Sequence, residues 1–138
     1  MVFLKTDEEV ELLRQSNKLL GMTYGELAKV IAPGVSTAQL DKIAEEFIRD
    51  NGGIPSCKGY EGYPATLCTS VNEQVVHGIP SEKQVLKEGD VISVDCCILL
   101  NGFHSDSAYT FPVGEVDADV MKLLRTTKRL SIWASMRL

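Results

Sequence analysis

Long apolar runs, a basic excess and paired-cysteine motifs are all missing from this chain of 138 residues. No stretch of 18 apolar residues occurs, so no helical membrane span is expected. The opening segment, MVFLKTDEEVELL, has neither a basic flank nor an apolar centre, which argues against a signal peptide. Four cysteines are present, but none are spaced C-x-x-C. That argues against a zinc ribbon or a thioredoxin-like redox site. Acidic residues outnumber basic ones, 19 to 14, giving a net charge of −5 and a pI near 5.0. Such a balance speaks against nucleic acid as the main partner. Low-complexity segments and internal repeats are absent too.

What is there reads as one ordinary globular domain, 44% hydrophobic and 24% charged. A chain this long buries roughly two-thirds of its unfolded surface. Cys57, Cys68, Cys96 and Cys97 fit a reducing compartment as free thiols, so a cytoplasmic location is expected. Adjacent Cys96 and Cys97 point to opposite faces of a strand and should not bond to each other.

Two capping boxes mark helix starts. Thr6 with Glu9 opens an amphipathic run through Val10, Leu13, Leu20, Leu27 and Ile31, which ends at Pro33-Gly34. Ser36 with Gln39 opens a second, whose apolar face is Leu40, Ile43, Ala44, Phe47 and Ile48. Gly52-Gly53 stops it. From Ile54 the pattern changes to strands and turns. Expected strands are Thr66–Val71, Gln74–His77, Val91–Leu99 and Phe103–Phe111, with a tight turn at Lys87-Glu88-Gly89-Asp90. A third helix is expected from Asp117 to Lys128, with Met121, Leu124 and Leu123 as its apolar positions. Two helices followed by hairpins imply an α+β fold, the helices covering one face of an antiparallel sheet.

The segment VISVDCCILLNGFHSDSAYTF carries the sharpest signal. Alternation sets Ser93, Asp95 and Cys97 on one strand face and Ile92, Val94, Cys96 and Ile98 on the other. Asn101-Gly102 is a strong two-residue hairpin turn, since both residues tolerate positive φ. Leu100 then pairs with Phe103 and Cys97 with Asp106. Asp95 falls diagonal to Asp106 on the same face, roughly 7–8 Å away between Cα atoms. Two carboxylates on one face of an apolar strand repel each other and need compensation, for which a metal ion is the natural agent. The plainer alternative is a hydrogen-bonded strand aspartate beside a turn-side aspartate. His77, in SVNEQVVHGIPS, is read in two ways: as a structural strand-end histidine, or as an imidazole held at a cleft edge by the Gly78-Ile79-Pro80 turn. His104 shares the face of Asp106 and is read as a strand-surface group or one that supports the site from outside.

GYEGYPATLCTSVNEQVVHGIPS, LKEGDVISVDCCILLNGFHSDSAYTFPVG and PGVSTAQLD together resemble the N-terminal half of type I methionine aminopeptidases, over about residues 5–128. The N-E-x-x-x-H-G-I-P element separates that family from its proline-directed relatives. The resemblance implies the first half of a pita-bread fold, two similar α+β halves around a dinuclear metal centre. It assigns Asp95 and Asp106 as metal ligands for two divalent ions (Co, Mn, Fe or Zn), and His77 as the residue that hydrogen-bonds the scissile peptide. It places Cys57, Tyr60, Tyr63 and Cys68 along the pocket for the methionine side chain, where plain turn packing is the alternative for the tyrosines. It places Asn72 and Gln74 where a monovalent cation can be held through backbone or amide oxygens. The implied function is removal of initiator methionine from nascent polypeptides whose second residue is small, with the ribosome as a further partner and neither nucleic acid nor membrane. A non-catalytic binding protein of the same fold and a Xaa-Pro metallopeptidase are the competing readings.

Two departures from the family lead to further expectations. The family's second half supplies a His ligand, two Glu ligands and a second substrate-contacting His, so this chain by itself is expected to be inactive. Residues 129–138, RLSIWASMRL, also depart from the family pattern. Permitted codons for them, read with two bases dropped, encode Thr-Leu-Tyr-Leu-Gly-Ile-Asp-Ala-Val, which is family-like. Residues 1–128 are therefore expected to form the family domain, and 129–138 a frameshifted, non-native tail.

Overall fold

A computed structural model describes residues 3–137. Met1, Val2 and Leu138, the extremes of the two expected segments, lie outside the described residues. Helix α1 spans Asp7–Val30 and α2 spans Thr37–Asp50. Both expected capping boxes form. Thr6 Oγ1 accepts from the Glu9 N–H while Glu9 accepts from the Thr6 N–H, and Ser36 and Gln39 do the same. Each box satisfies backbone donors that the helix itself leaves open. Strands follow at Ile54–Pro55 (β1), Leu67–Val71 (β2), Val91–Leu100 (β3) and Phe103–Pro112 (β4), with a short 3₁₀ turn at Tyr60–Gly62 between the first two. Helix α3 runs from Ala118 to Ser135. It passes residue 128 without a break, and none of its side chains is buried.

β3 is the spine of the sheet. β4 pairs along one of its edges, while β2 and β1 pair in succession along the other, all antiparallel. Ile92, Val94, Cys96 and Ile98 are fully buried against Leu19, Leu20 and Leu27 of α1 and Leu40, Ala44 and Ile48 of α2. The helices therefore cover one face, as the alternation required, and leave the Ser93–Asp95–Cys97 face for other use. Periodicity did not reveal Ser16, a polar residue buried under the sheet. Its hydroxyl donates to the Ile98 carbonyl at 3.2 Å and lies 3.0 Å from Ser105 Oγ, so the buried oxygen is satisfied. Among the described residues no helix is long and apolar enough to cross a membrane.

One expected strand is absent. Gln74–His77 forms no ladder, because Asn72 and His77 adopt left-handed backbone (φ 52° and 59°), which breaks the extended path. Gln74 instead turns its amide oxygen back onto the Val71 N–H at 3.0 Å. The chain then regains contact with β2 at Gly78. The Gly78 carbonyl accepts from the Thr69 N–H at 2.7 Å, and its own N–H donates to Ser70 Oγ at 3.1 Å. A Cβ at Gly78 would sit 2.1 Å from the Thr69 carbonyl oxygen, so only glycine fits there.

Gly78→Ala is expected to lower stability by about 1–3 kcal/mol through backbone overpacking. Gly25→Ala, in helix α1 with nothing within 4 Å of the added Cβ, should instead raise it by up to about 1 kcal/mol. Urea unfolding of the two variants tests the contrast. Equal effects would show that the Gly78–Thr69 approach carries no constraint.

Candidate metal centre and substrate cleft

The Asn101–Gly102 turn, both residues at positive φ (52° and 81°), closes the β3–β4 hairpin with two loop residues. Leu100 faces Phe103 and Cys97 faces Asp106, the register that alternation and turn chemistry predicted. Asp95 pairs with Ala108, two residues along from the Cys97–Asp106 pair, so both carboxylates share the open face. Cys97 joins them. One donor atom from each of Asp95, Cys97 and Asp106 lies within 4.8 Å of the other two. The sequence reading passed over Cys97 as a functional residue. The available signal was its parity with Asp95, two positions away on the same face.

The electrostatics of this cluster call for a cation. Burial, and then the charge of Asp106, push the Asp95 carboxyl above the usual carboxylate range, while His77 acts in the opposite sense. No lysine or arginine contributes to holding Asp95 ionised, and none of the ion pairs among the described residues involves Asp95 or Asp106. Burial, followed by the Asp106 carboxylate and the Cys57 thiol, pushes the Cys97 thiol up. Two carboxylates and a thiol with no protein cation among them fit a divalent metal ion.

The neighbouring cleft has a volume of about 490 Å³, and its walls include Cys57, Tyr60, Tyr63, Cys68, His77 and Ile79. All the residues expected around a methionine side chain are therefore brought together, with His77 at the same opening. Cys68 pairs directly with Asp95 across β2 and β3, so the cleft and the carboxylates share a wall. Asp41 of α2 fixes that wall from behind. Its Oδ1 accepts from the Thr66 and Leu67 N–H groups at 2.9 and 2.7 Å, which sets the start of β2. The Tyr63 hydroxyl lies 2.9 Å from the Leu67 carbonyl and 3.2 Å from the Gly78 carbonyl, tying the 3₁₀ turn to both. Burial and the adjoining Cys68 push the Tyr63 hydroxyl up, so it stays protonated as a donor. Tyr60 is 70% exposed at the rim of the cleft. His77 keeps its left-handed backbone because Gly78 is clamped onto β2 immediately after it.

The remaining candidates fall outside this cluster. Asn72 and Gln74 commit their amide oxygens to the Val91 and Val71 N–H groups, both at 3.0 Å. Neither amide oxygen is therefore open to a monovalent cation in this arrangement. His104 is exposed and pairs its Nδ1 with Ser56 Oγ at 2.9 Å, bracing β1 against β4.

An antiparallel sheet backed by two helices, with paired carboxylates on its open face, defines a metal-site scaffold of a particular kind. The chain belongs to Metallopeptidase family M24, whose sequence model matches residues 11–133. It is 52% identical over 128 residues to a methionine aminopeptidase of Clostridium acetobutylicum, covering 93% of this chain and 51% of that protein. It is 49% identical over 128 residues to methionine aminopeptidase 1 of Bacillus subtilis, with the same coverage, 93% and 51%. The crystal structure of methionine aminopeptidase from Thermotoga maritima superposes with a TM-score of 0.90 at 37% identity, over 94% of this chain and 52% of that one. The chain thus spans about half the length of the relatives it matches, and its architecture is the first half of the pita-bread fold. Membership of this family implies use of a divalent metal.

Replacing Asp95 by Asn is expected to have opposite effects with and without metal. In metal-free protein it relieves repulsion with Asp106 and should raise stability by about 1 kcal/mol or less, because water screens these partly exposed groups. With a divalent ion present it should lower it. The repulsive penalty exists above the raised native pKa of Asp95 and fades as pH falls through it, since the folded form binds the proton more readily than the unfolded one. Thermal melts in chelator and in excess Co²⁺ measure both signs. A variant less stable than wild type in chelator would show that Asp95 is not under repulsion.

Proposed function

We propose that this chain forms one half of a metal-dependent aminopeptidase site that releases methionine from the N-termini of nascent polypeptides. The single observation that carries the reading is the convergence of Asp95 and Asp106 on one face beside a cleft that also presents His77. The 52% identity to a methionine aminopeptidase supports it. Asp95 and Asp106 would hold the divalent ions, with Co, Mn, Fe and Zn as suitable occupants for oxygen-rich donors. Bound there, such ions supply Lewis acidity and lower the pKa of a water molecule. The protein's own residues bind and orient. Cys57, Tyr60, Tyr63 and Cys68 surround the thioether with thiol and aromatic surface, both of which suit sulfur. His77 hydrogen-bonds the scissile peptide group from the cleft edge. The backbone carbonyls of Asn72 and Gln74 hold a monovalent cation at the base of the loop that carries His77. The preferred substrates carry a small second residue and are presented as they leave the ribosome, in the cytoplasm.

Among the described residues, no carboxylate or imidazole beyond Asp95 and Asp106 joins the donor cluster, so a group placed to act as general base is missing. Alone, the chain is expected to hydrolyse a Met-Ala-Ser peptide no faster than free metal ion does. The functional reading is tested by a chimera in which residues 1–128 replace the matching half of the Clostridium acetobutylicum relative. The chimera should release methionine in Co²⁺ or Mn²⁺. Within it, His77→Ala should lower kcat about 10²–10³-fold with metal content unchanged, the usual cost of removing one positioned hydrogen-bonding group. A folded, metal-loaded chimera without activity would refute the reading, and metal loss in the histidine variant would refute that role for His77.

A further inference from the structure

We propose that Cys97 is a third protein ligand of the ion held by Asp95 and Asp106, and that its sulfur biases the site towards thiophilic ions such as Zn²⁺, Co²⁺ and Cd²⁺ over Mn²⁺ and Mg²⁺. The inference rests on the metal-site reading of the carboxylate pair and adds a donor of different chemistry to it. Cys97 faces Asp106 directly across the hairpin and stands two residues from Asp95 on the same side of β3. Donor atoms of the three side chains lie within 4.8 Å of one another, so one ion can touch all three after small rotamer adjustments.

Strand parity distinguishes this thiol from Cys96, and membership of the donor cluster distinguishes it from Cys68. Cys96 lies in the core against the helices, while Cys68, opposite Asp95 on the open face, is buried in the cleft wall and outside the donor cluster. Cys97 is half-buried on the open face, with Cys57 close by. Two carboxylates around a thiolate are mutually repulsive while no cation is present. A dication among them adds an attraction to each anion that outweighs their mutual repulsion. Ligation forms a metal–sulfur bond, and the thiol proton leaves to solvent; no electron is transferred. Soft thiolate favours zinc-like ions, whereas an all-carboxylate site suits manganese and magnesium.

Cobalt reports the bond without any catalytic assay. The 138-residue chain, kept in a reducing buffer and titrated with Co²⁺, should show a sulfur-to-cobalt charge-transfer band in the near ultraviolet beside the visible ligand-field bands. Cys97→Ser should lose the ultraviolet band while still binding cobalt, and its preference for Zn²⁺ over Mn²⁺ in competition titrations should fall about tenfold or more. Cys57→Ser should keep the band. Cobalt binding without the ultraviolet band in the wild-type chain would overturn the inference and leave the carboxylate site standing. A band that survives in Cys97→Ser and vanishes in Cys57→Ser would assign the sulfur to the wrong residue and overturn it equally. Failure of the wild-type chain to bind cobalt any better than Asp106→Asn would overturn the carboxylate reading, and this inference with it.

Discussion

The register of one hairpin governs the site. Side chains alternate along a strand, so a slip of one residue between β3 and β4 would move Asp106 to the helix-covered face. The two-residue Asn101–Gly102 loop prevents that slip, because its paired positive φ values match the twist of the flanking strands. The opposite face holds the register from the other side. Ile92, Val94, Cys96 and Ile98 are all fully buried, and a slip would expose them together while pushing Asp95 into the core. The apolar face and the turn thus select the same pairing independently. The carboxylates can repel one another because neither of them has to stabilise the hairpin.

A second constraint, smaller in extent, sets the substrate side. Loop Asn72–His77 carries no ladder hydrogen bonds and would wander without its two pins. One is the Gln74 amide on the Val71 N–H; the other is Gly78 pressed onto Thr69 and Ser70. Between them His77 adopts a backbone region that costs a non-glycine residue on the order of 1 kcal/mol or more. That cost is offset locally by the Gly78 contacts. The imidazole is thereby fixed relative to β2, and through the Cys68–Asp95 pair relative to the carboxylates. Cleft, histidine and carboxylate face are all referenced to the same central strand.

These relations were unequally legible in the sequence. Capping boxes, the hairpin turn and the alternation of β3 depend on residues a few positions apart, and each appears in the structure as read. The cleft could be named only through the resemblance, since Cys57, Tyr60, Tyr63 and Cys68 come from separate segments with no shared periodicity. Gln74–His77 was misread as a strand because Val75 and Val76 favour extended structure locally. In the fold both side chains are exposed, and the left-handed residues on either side of them decide the path. Ser16 was invisible for a different reason. A serine within an amphipathic helix reads as surface until the Ile98 carbonyl and Ser105 hydroxyl that satisfy it are placed beneath it. Cys97 was legible in parity but not in chemistry, because a cysteine beside another cysteine in a strand reads first as a small hydrophobe.

The edges of the sheet complete the physical picture. β2 has its outer edge covered by the Gly78 segment. β4 has β3 on one side and, among the described residues, no strand on the other. Half of its residues are exposed, including Asp106 and Tyr109. A strand of ten residues with one unpaired edge is a template for further pairing. Helix α3 adds a second uncovered surface, with Leu123, Leu130 and Trp133 all more than half exposed. Both features lie on the side of β4, where its Tyr109 meets Lys128 of α3. Sheet added along this edge would leave β3, its helices and the cleft undisturbed. The open carboxylate face and the open edge are consequences of one arrangement: a sheet that presents its paired carboxylates on an uncovered face and keeps its own core closed behind them.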